Sequence, residues 1–236
     1  MNDNKVPRHI AIIPDGNRRF ARQRGKNPWE GHRDGAETFN KLLEWCKDAG
    51  VKELSFWGFS TENLERDKVE VDFLFKILGE FCDNALKRIN DEEVKGKVRI
   101  KFCGTFEKIP PKNVEKMKKI MEITKNNEEY KLNLLIGYGG REEITQAAKK
   151  IAKEVKEGKL KPDDITQEVF QKHLYLQSEP DLIIRTSEHR LSGLLPWQSI
   201  YSEIIFLKDK HWPEFTQKDF KKCLEEFARR KRRFGK

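Results

Sequence analysis

A chain of 236 residues with 36% hydrophobic side chains has enough apolar material for a core, while 37% charged residues and a net charge of +9 suit an anionic partner: nucleic acid, a polyphosphate or an anionic membrane face. No apolar run approaches the about 18 residues that cross a bilayer, and residues 1–8 do not read as a signal peptide, so a cytoplasmic protein is expected. Cys46, Cys82, Cys103 and Cys223 are too widely spaced for a zinc motif or a small disulfide scaffold and read as reduced core residues.

The first element is a short apolar run, His9–Ile13, bounded by Pro7 and Pro14, which predicts a buried strand. Residues 18–24 follow as a helix stopped at Gly25. Between them stands Asp15-Gly16-Asn17-Arg18-Arg19, which puts a carboxylate, a glycine, an amide and two guanidiniums where a strand hands over to a helix. Such junctions bind phosphates, and arginine adds bidentate contacts to phosphate oxygens. A carboxylate there is repelled by a diphosphate unless a metal lies between them, and Mg²⁺ uses one or two carboxylates together with phosphate oxygens. The stretch therefore reads as a Mg²⁺-diphosphate site.

Residues 31–35 (GHRDG) follow the first helix, 36–49 read as an amphipathic helix ended by Gly50, and 52–59 as a second strand running into Ser60-Thr61-Glu62-Asn63. A long helix over 68–89 carries Leu74, Leu78, Phe81, Ala85 and Ile89 on one stripe, widened by Phe73, Phe75 and Ile77. Strands are predicted at 97–103, 130–136, 181–185 and 203–207, and helices at 112–124, 142–157, 166–174 and from Thr216 to about 234. Strands alternating with helices, several of them apolar on both faces, predict one α/β domain over 1–236 with a mainly parallel six-stranded sheet flanked by helices.

Polar groups recur at the C-terminal ends of strands: 15–19, 60–63, 139–141 and 185–192. In an open α/β sheet those ends face one crevice, where ligands bind. Arg185, Arg190 and Ser192 make a second phosphate-binding set, and Glu203, at the start of the last strand, is a candidate second carboxylate for the metal. A P-loop is absent, and GYGGRE has Glu142 where a dinucleotide fingerprint needs its third glycine, which argues against kinase and nicotinamide chemistry.

The blocks HIAIIPDGNRRFA, GHRDGA, FSTENLER, YGGREE and DLIIRTSEHRLSGLLPWQSIYSEIIF, in this order across residues 8–234, resemble the cis-prenyltransferases, the undecaprenyl diphosphate synthase family. The resemblance implies a homodimer that condenses isopentenyl diphosphate repeatedly onto an allylic diphosphate, farnesyl or geranylgeranyl, and sets each new double bond cis. The product would be a polyprenyl diphosphate such as undecaprenyl diphosphate, a glycosyl-carrier lipid precursor. It implies catalytic roles for Asp15, Asn17 and Asn63, and an allylic site drawn from Gly16, Arg18, Arg19, Phe20, His32, Ser60, Thr61, Glu62 and Arg66. Arg185, Arg190 and Ser192 would hold isopentenyl diphosphate, and Asp15 and Glu203 the Mg²⁺. Asn17, Ser60 and the diphosphate itself all stay open as the proton acceptor. The stripe of the 68–89 helix becomes the wall of a tunnel for the growing tail.

The chain departs from the bacterial pattern of that family in four places. Arg18 replaces a glycine, as in the archaeal and eukaryotic branch; Pro28 stands where an allylic-site arginine is common; the 186–189 loop is one residue shorter; and Leu64 replaces a tryptophan. Two rival readings are a basic RNA-binding module and a non-catalytic partner subunit. Asp15 and Glu203 oppose the first, so no nucleic-acid partner is expected, and intact Asp15, Arg19, Arg185, Arg190 and Glu203 oppose the second. The basic run at 229–233 reads as a solvated helix end, and a peripheral membrane contact is expected only for product release.

Overall fold

The computed structural model describes residues 6–92 and 94–230. Six strands form one sheet: β1 (His9–Ile13), β2 (Glu53–Ser60), β3 (Val98–Cys103), β4 (Tyr130–Tyr138), β5 (Leu182–Thr186) and β6 (Glu203–Leu207). Their order is β3-β4-β2-β1-β5-β6, and every pairing is parallel, so the sheet is wholly rather than mainly parallel. β1 is buried at all five positions, as its unbroken apolar sequence requires of a strand with both faces covered. The chain leaves β1 toward β2 on one side and leaves β5 toward β6 on the other. A crevice therefore opens beyond the C-terminal ends of β1 and β5, the switch point of the sheet.

Among the described residues seven α-helices flank the sheet, the last of them after β6: α1 (Asn17–Gln23), α2 (Gly31–Ala49), α3 (Lys68–Arg88), α4 (Pro111–Thr124), α5 (Gly140–Lys156), α6 (Gln167–His173) and α7 (Gln217–Arg229). Alternation along the strands splits the core in two. Ile10, Ile12, Leu54, Phe56, Leu134 and Ile184 face Phe39 and Leu42 of α2, Leu74 and Leu78 of α3, Met117 of α4 and Phe220 of α7. Ala11, Ile13, Trp57, Leu135 and Ile183 face Tyr138, Leu176, Leu194 and Leu195 on the other side.

The helix expected from residue 36 starts five residues earlier, so 31–35 form the first turn of α2. Its two glycines are a packing requirement rather than a helix break: a Cβ on Gly31 would lie 2.0 Å from the Asn17 carbonyl oxygen, and one on Gly35 2.3 Å from Asn17 Oδ1. α2 thus seats its start directly on the Asp15–Arg19 junction. α7 is described to Arg229, so the end of the last predicted helix and residues 231–233 of the basic run lie outside the described residues.

The starts of the strands carry a buried polar cluster. His9 Nε2 and Ser55 Oγ are 2.8 Å apart, Asn133 donates to Glu53 Oε1 at 2.7 Å and to Ser55 Oγ at 3.1 Å, and Ser178 donates to the same Glu53 oxygen. The four cysteines are buried and free, and burial pushes their thiols up to about 12. No helix among the described residues is long and apolar enough to cross a membrane.

Candidate active site

The junction after β1 is fixed by its backbone. Gly16 has φ +103, a left-handed conformation, and a Cβ there would fall 2.3 Å from Ser187 Oγ, so both strain and space demand glycine. The Asp15 carbonyl accepts from Thr186 Oγ1 (2.6 Å), Ser187 Oγ (3.1 Å) and Trp212 N (2.9 Å), which clamps the loop to the end of β5. The clamp aims the Asp15 carboxylate at two guanidiniums: Arg19 Nη2 at 3.1 Å and Arg185 Nη2 at 2.9 Å. Arg185 is buried and also donates to Ser192 Oγ at 2.7 Å and to the Arg190 carbonyl. Glu188 joins the two sets, accepting from Arg19 at 2.9 Å and from Arg190 at 3.0 Å. α1 is only seven residues long, so its dipole is small and the side chains carry the positive charge.

A second cationic group sits across the crevice around Glu70, at the start of α3. This carboxylate is 3% exposed; His32 Nε2 lies 3.0 Å from it, Arg66 Nη1 2.6 Å and Arg18 Nε 3.6 Å. Burial pushes its pKa up, but the His32 hydrogen bond and the Arg66, His32 and Arg18 charges outweigh burial and bring it to about 2. Ser60 and Asn63 brace the end of β2 reciprocally, Ser60 N donating to Asn63 Oδ1 (3.2 Å) and Asn63 N to Ser60 Oγ (3.3 Å).

These groups line one polar cavity of about 630 Å³. Its wall has six arginines (Arg18, Arg19, Arg22, Arg66, Arg185, Arg190) against three carboxylates (Asp15, Glu62, Glu188), an excess of positive charge suited to a polyanion. An apolar cavity of about 380 Å³ continues from it between the sheet and helices α2 and α3, lined by Phe39, Leu43, Leu54, Leu78, Phe81, Ala85 and Leu134. The two share Pro14, Asn17, His32, Gly58, Phe59 and Leu74, so a polar chamber opens into an apolar tunnel. Such a shape holds a molecule with an anionic head and a hydrocarbon tail.

The comparisons agree with this geometry. The family model for undecaprenyl diphosphate synthases matches residues 13–235. The chain belongs to that family. It is therefore a cis-prenyltransferase, an enzyme that elongates prenyl chains. It is 43% identical to the tritrans,polycis-undecaprenyl-diphosphate synthase (geranylgeranyl-diphosphate specific) of Methanopyrus kandleri, over 100% of this chain and 87% of that protein. It is 42% identical to the isoprenyl transferase of Thermotoga maritima, over 98% of this chain and 97% of that one. Among solved structures, the lavandulyl diphosphate synthase of Lavandula x intermedia in complex with dimethylallyl diphosphate superposes with a TM-score of 0.92 at 32% identity, covering 99% of this chain and 100% of that chain.

In this prenyltransferase the cavity wall includes Asp15, Gly16, Asn17, Arg18, Arg19, His32, Ser60, Glu62, Asn63, Arg66, Arg185, Arg190 and Ser192 of the residues predicted from sequence. Three predicted residues lie elsewhere. Phe20 is buried in α1 with the Arg24 guanidinium 3.6 Å over its ring, a packing position. Thr61 faces Gly139 rather than the chamber: a Cβ on that glycine would lie 2.8 Å from its hydroxyl. Glu203 is the largest correction. It pairs with Leu182, which pairs with Ile10, so it stands at the strand-start rim and is held by Arg230 at 2.8 Å. Asp15 is five residues beyond Ile10, on the order of 15 Å farther along the strand direction. Within one chain Glu203 and Asp15 cannot share a metal, because a parallel sheet puts strand starts and strand ends on opposite rims.

The 139–141 cluster is also off the chamber wall. Its block builds a scaffold instead: Glu143, fully buried, accepts from Tyr138 Oη at 2.5 Å, from the Tyr175 and Leu176 amides and from Gln198. Sequence reasoning missed Glu70, Glu188 and Arg22. Glu70 falls four residues after Arg66, but Arg66 is in extended backbone ahead of α3, so helical spacing gave no signal for the pair.

The donor set fits Mg²⁺ in one form only. No group of three or more His, Cys, Asp or Glu side chains that could cage a metal exists among the described residues. Asp15 is a chamber-wall carboxylate held between Arg19 and Arg185, and one carboxylate completed by diphosphate oxygens is an ordinary Mg²⁺ arrangement.

Proposed function

We propose that this enzyme condenses isopentenyl diphosphate stepwise onto an allylic diphosphate primer and extends it into a polyprenyl diphosphate of the undecaprenyl class, as one catalytic domain over residues 1–236. The observation that carries the proposal is the continuity of an arginine-rich chamber with an apolar tunnel through a shared wall at Asn17 and His32. The primer's diphosphate sits with Asp15, Arg19 and the Glu70-anchored group Arg18, His32 and Arg66, and its tail enters the tunnel. Isopentenyl diphosphate sits with Arg185, Arg190 and Ser192. The named relatives support geranylgeranyl diphosphate over farnesyl diphosphate as primer.

Asp15 would hold Mg²⁺ together with diphosphate oxygens, and the ion supplies charge neutralisation for the departing diphosphate. The chain's own residues do the rest. Arg19 is oriented by Asp15 and Glu188, so its donors are aimed before the leaving group's negative charge develops. Asn17 donates to the Pro14 carbonyl at 3.2 Å and thereby holds its position at the boundary of chamber and tunnel, where the primer's reacting carbon must lie. The apolar tunnel excludes water from the tail.

Compensation for Pro28 falls to Arg18. It lines the chamber, whereas Arg24 stacks on Phe20 and Lys26 pairs with Asp34 at 3.6 Å. Homodimer formation is supported by an exposed apolar stretch on the loop before β6, with Ile200 70% and Tyr201 56% exposed. The deciding experiment gives the purified chain Mg²⁺, isopentenyl diphosphate and primers of ten, fifteen or twenty carbons. We expect turnover by the chain alone, fastest with the twenty-carbon primer, and none after chelation. No consumption of isopentenyl diphosphate with any primer would refute the proposal.

A further inference from the structure

Glu188 touches both sets of arginines, as Asp15 does through Arg19 and Arg185, but Glu188 alone among the described residues ties Arg19 to Arg190. Its Oε1 accepts from Arg19 Nη1 at 2.9 Å and its Oε2 from Arg190 Nη1 at 3.0 Å. The turn before it is built to aim it. Glu188 N donates to the Thr186 carbonyl at 2.9 Å, closing a three-residue turn around Ser187, whose φ is +69. A γ-turn with positive φ on a non-glycine residue is strained and persists only where its surroundings enforce it. Here they do: the buried Ser187 hydroxyl lies within 3.1 Å of the Asp15 carbonyl, the Lys210 carbonyl and His211 Nδ1. A strained turn tied down at three points, presenting a carboxylate between two diphosphate sites, is poor economy for a surface ion pair. The Arg190 side chain is 64% exposed, and an exposed pair by itself contributes little to stability.

We propose that Glu188 is a built-in anion that couples the two diphosphate sites. While the chamber is empty it holds Arg19 and Arg190 in register across the gap. The first diphosphate to enter takes its arginine with more oxygens and more charge than a carboxylate offers, and its own negative charge repels Glu188. Glu188 then releases the second arginine, so the second diphosphate meets a freed partner and the bridge is broken only once. By linkage each diphosphate must raise the affinity for the other by the same factor. The inference rests on the assignment of Arg19 and Arg190 to different diphosphates made above.

The test is a binding cycle without turnover, using isopentenyl diphosphate and an unreactive allylic thiolodiphosphate by calorimetry. In the natural enzyme, saturating allylic analogue should lower the Kd for isopentenyl diphosphate about fivefold or more, within the usual range of coupling. In Glu188→Gln, isopentenyl diphosphate should already bind more tightly without the analogue, and the analogue should change its Kd less than twofold. Glu188→Asp keeps the charge but is too short to span both arginines, and it should lose the coupling too. Thermal unfolding within a few degrees of the natural enzyme certifies the folding of both variants. Coupling retained in Glu188→Gln or Glu188→Asp, or absent from the natural enzyme, overturns the proposal. Arg19→Ala and Arg190→Ala separate this failure from a deeper one. If each weakens only its own ligand while Glu188→Gln leaves coupling intact, this inference alone fails. If they weaken neither ligand selectively, the site assignment fails with it.

Discussion

Replacing Glu70 by glutamine removes a charge while keeping the shape. A carboxyl brought from an ordinary 4.5 to about 2 is favoured in its charged form by about 3 kcal/mol, at about 1.4 kcal/mol for each tenfold. Its partners border an open chamber, with the Arg18 and Arg66 side chains 40% and 28% exposed, so solvent screening trims the net loss to about 1–2 kcal/mol. In a chain of this size that lowers Tm by about 2–8 °C. The sign with pH follows from the depressed folded-state value. The contribution is complete above about pH 4.5 and is lost as pH falls through 2, so Glu70→Gln should melt clearly below the natural enzyme at pH 7, with the gap reduced to less than about half at pH 3. Calorimetric scans at both pH values check this. Because His32, Arg66 and Arg18 lose their anchor, the primer KM should rise several-fold while the isopentenyl diphosphate KM stays within twofold. An equal Tm gap at pH 3 and pH 7, or equal rises in both KM values, would refute the reasoning.

Asp15→Ala removes the carboxylate that orders Arg19 and Arg185, and kcat at saturating substrate should fall by at least about 10²-fold, the scale of lost electrostatic stabilisation; near-normal turnover would exclude the assignment. Arg190→Ala deletes a charge-assisted contact of about 1.5–3 kcal/mol, so steady-state kinetics should show the isopentenyl diphosphate KM rising about tenfold or more with primer KM little changed. Ala85→Leu puts bulk into the tunnel wall, and chromatography should resolve shorter products while the first condensation survives. Arg18→Ala should raise the primer KM several-fold, whereas Lys26→Ala, whose charge is spent on Asp34, should not.

Strand positions were legible because five-residue apolar runs such as His9–Ile13 have no reading other than burial, and alternation with helices then dictates a parallel sheet. The tunnel wall was legible as well, since Leu74, Leu78, Phe81 and Ala85 recur at helical spacing and do line the cavity. Phe73, Phe75 and Ile89, grouped with them from sequence, do not line it; Phe75 packs on Phe59 instead. The first turn of α2 was hidden because glycine lowers helix propensity, while the reason for Gly31 and Gly35 is a contact with Asn17, remote in any local window. Glu70 and Glu188 were invisible for a related reason. A lone glutamate in a charged chain carries no pattern, and only the folded chain brings His32, Arg18 and Arg66 onto one and two arginines onto the other. The placement of Glu203 was within reach of sequence, since a residue beginning a parallel strand cannot meet one that follows the end of its neighbour.

The polar cluster at the strand starts gives the molecule a second kind of vulnerability. His9, Glu53, Ser55 and Asn133 are each at least nine-tenths buried, and burial lowers the His9 pKa, favouring the neutral ring. Deleting one partner there strands the others without hydrogen bonds in a dry place, a loss that falls on the folded population and not on any diphosphate contact. Lesions should therefore sort by rim. Those at the strand ends spoil the kinetics of an abundant protein, and those at the strand starts leave a scarce, heat-sensitive protein whose surviving molecules turn over normally.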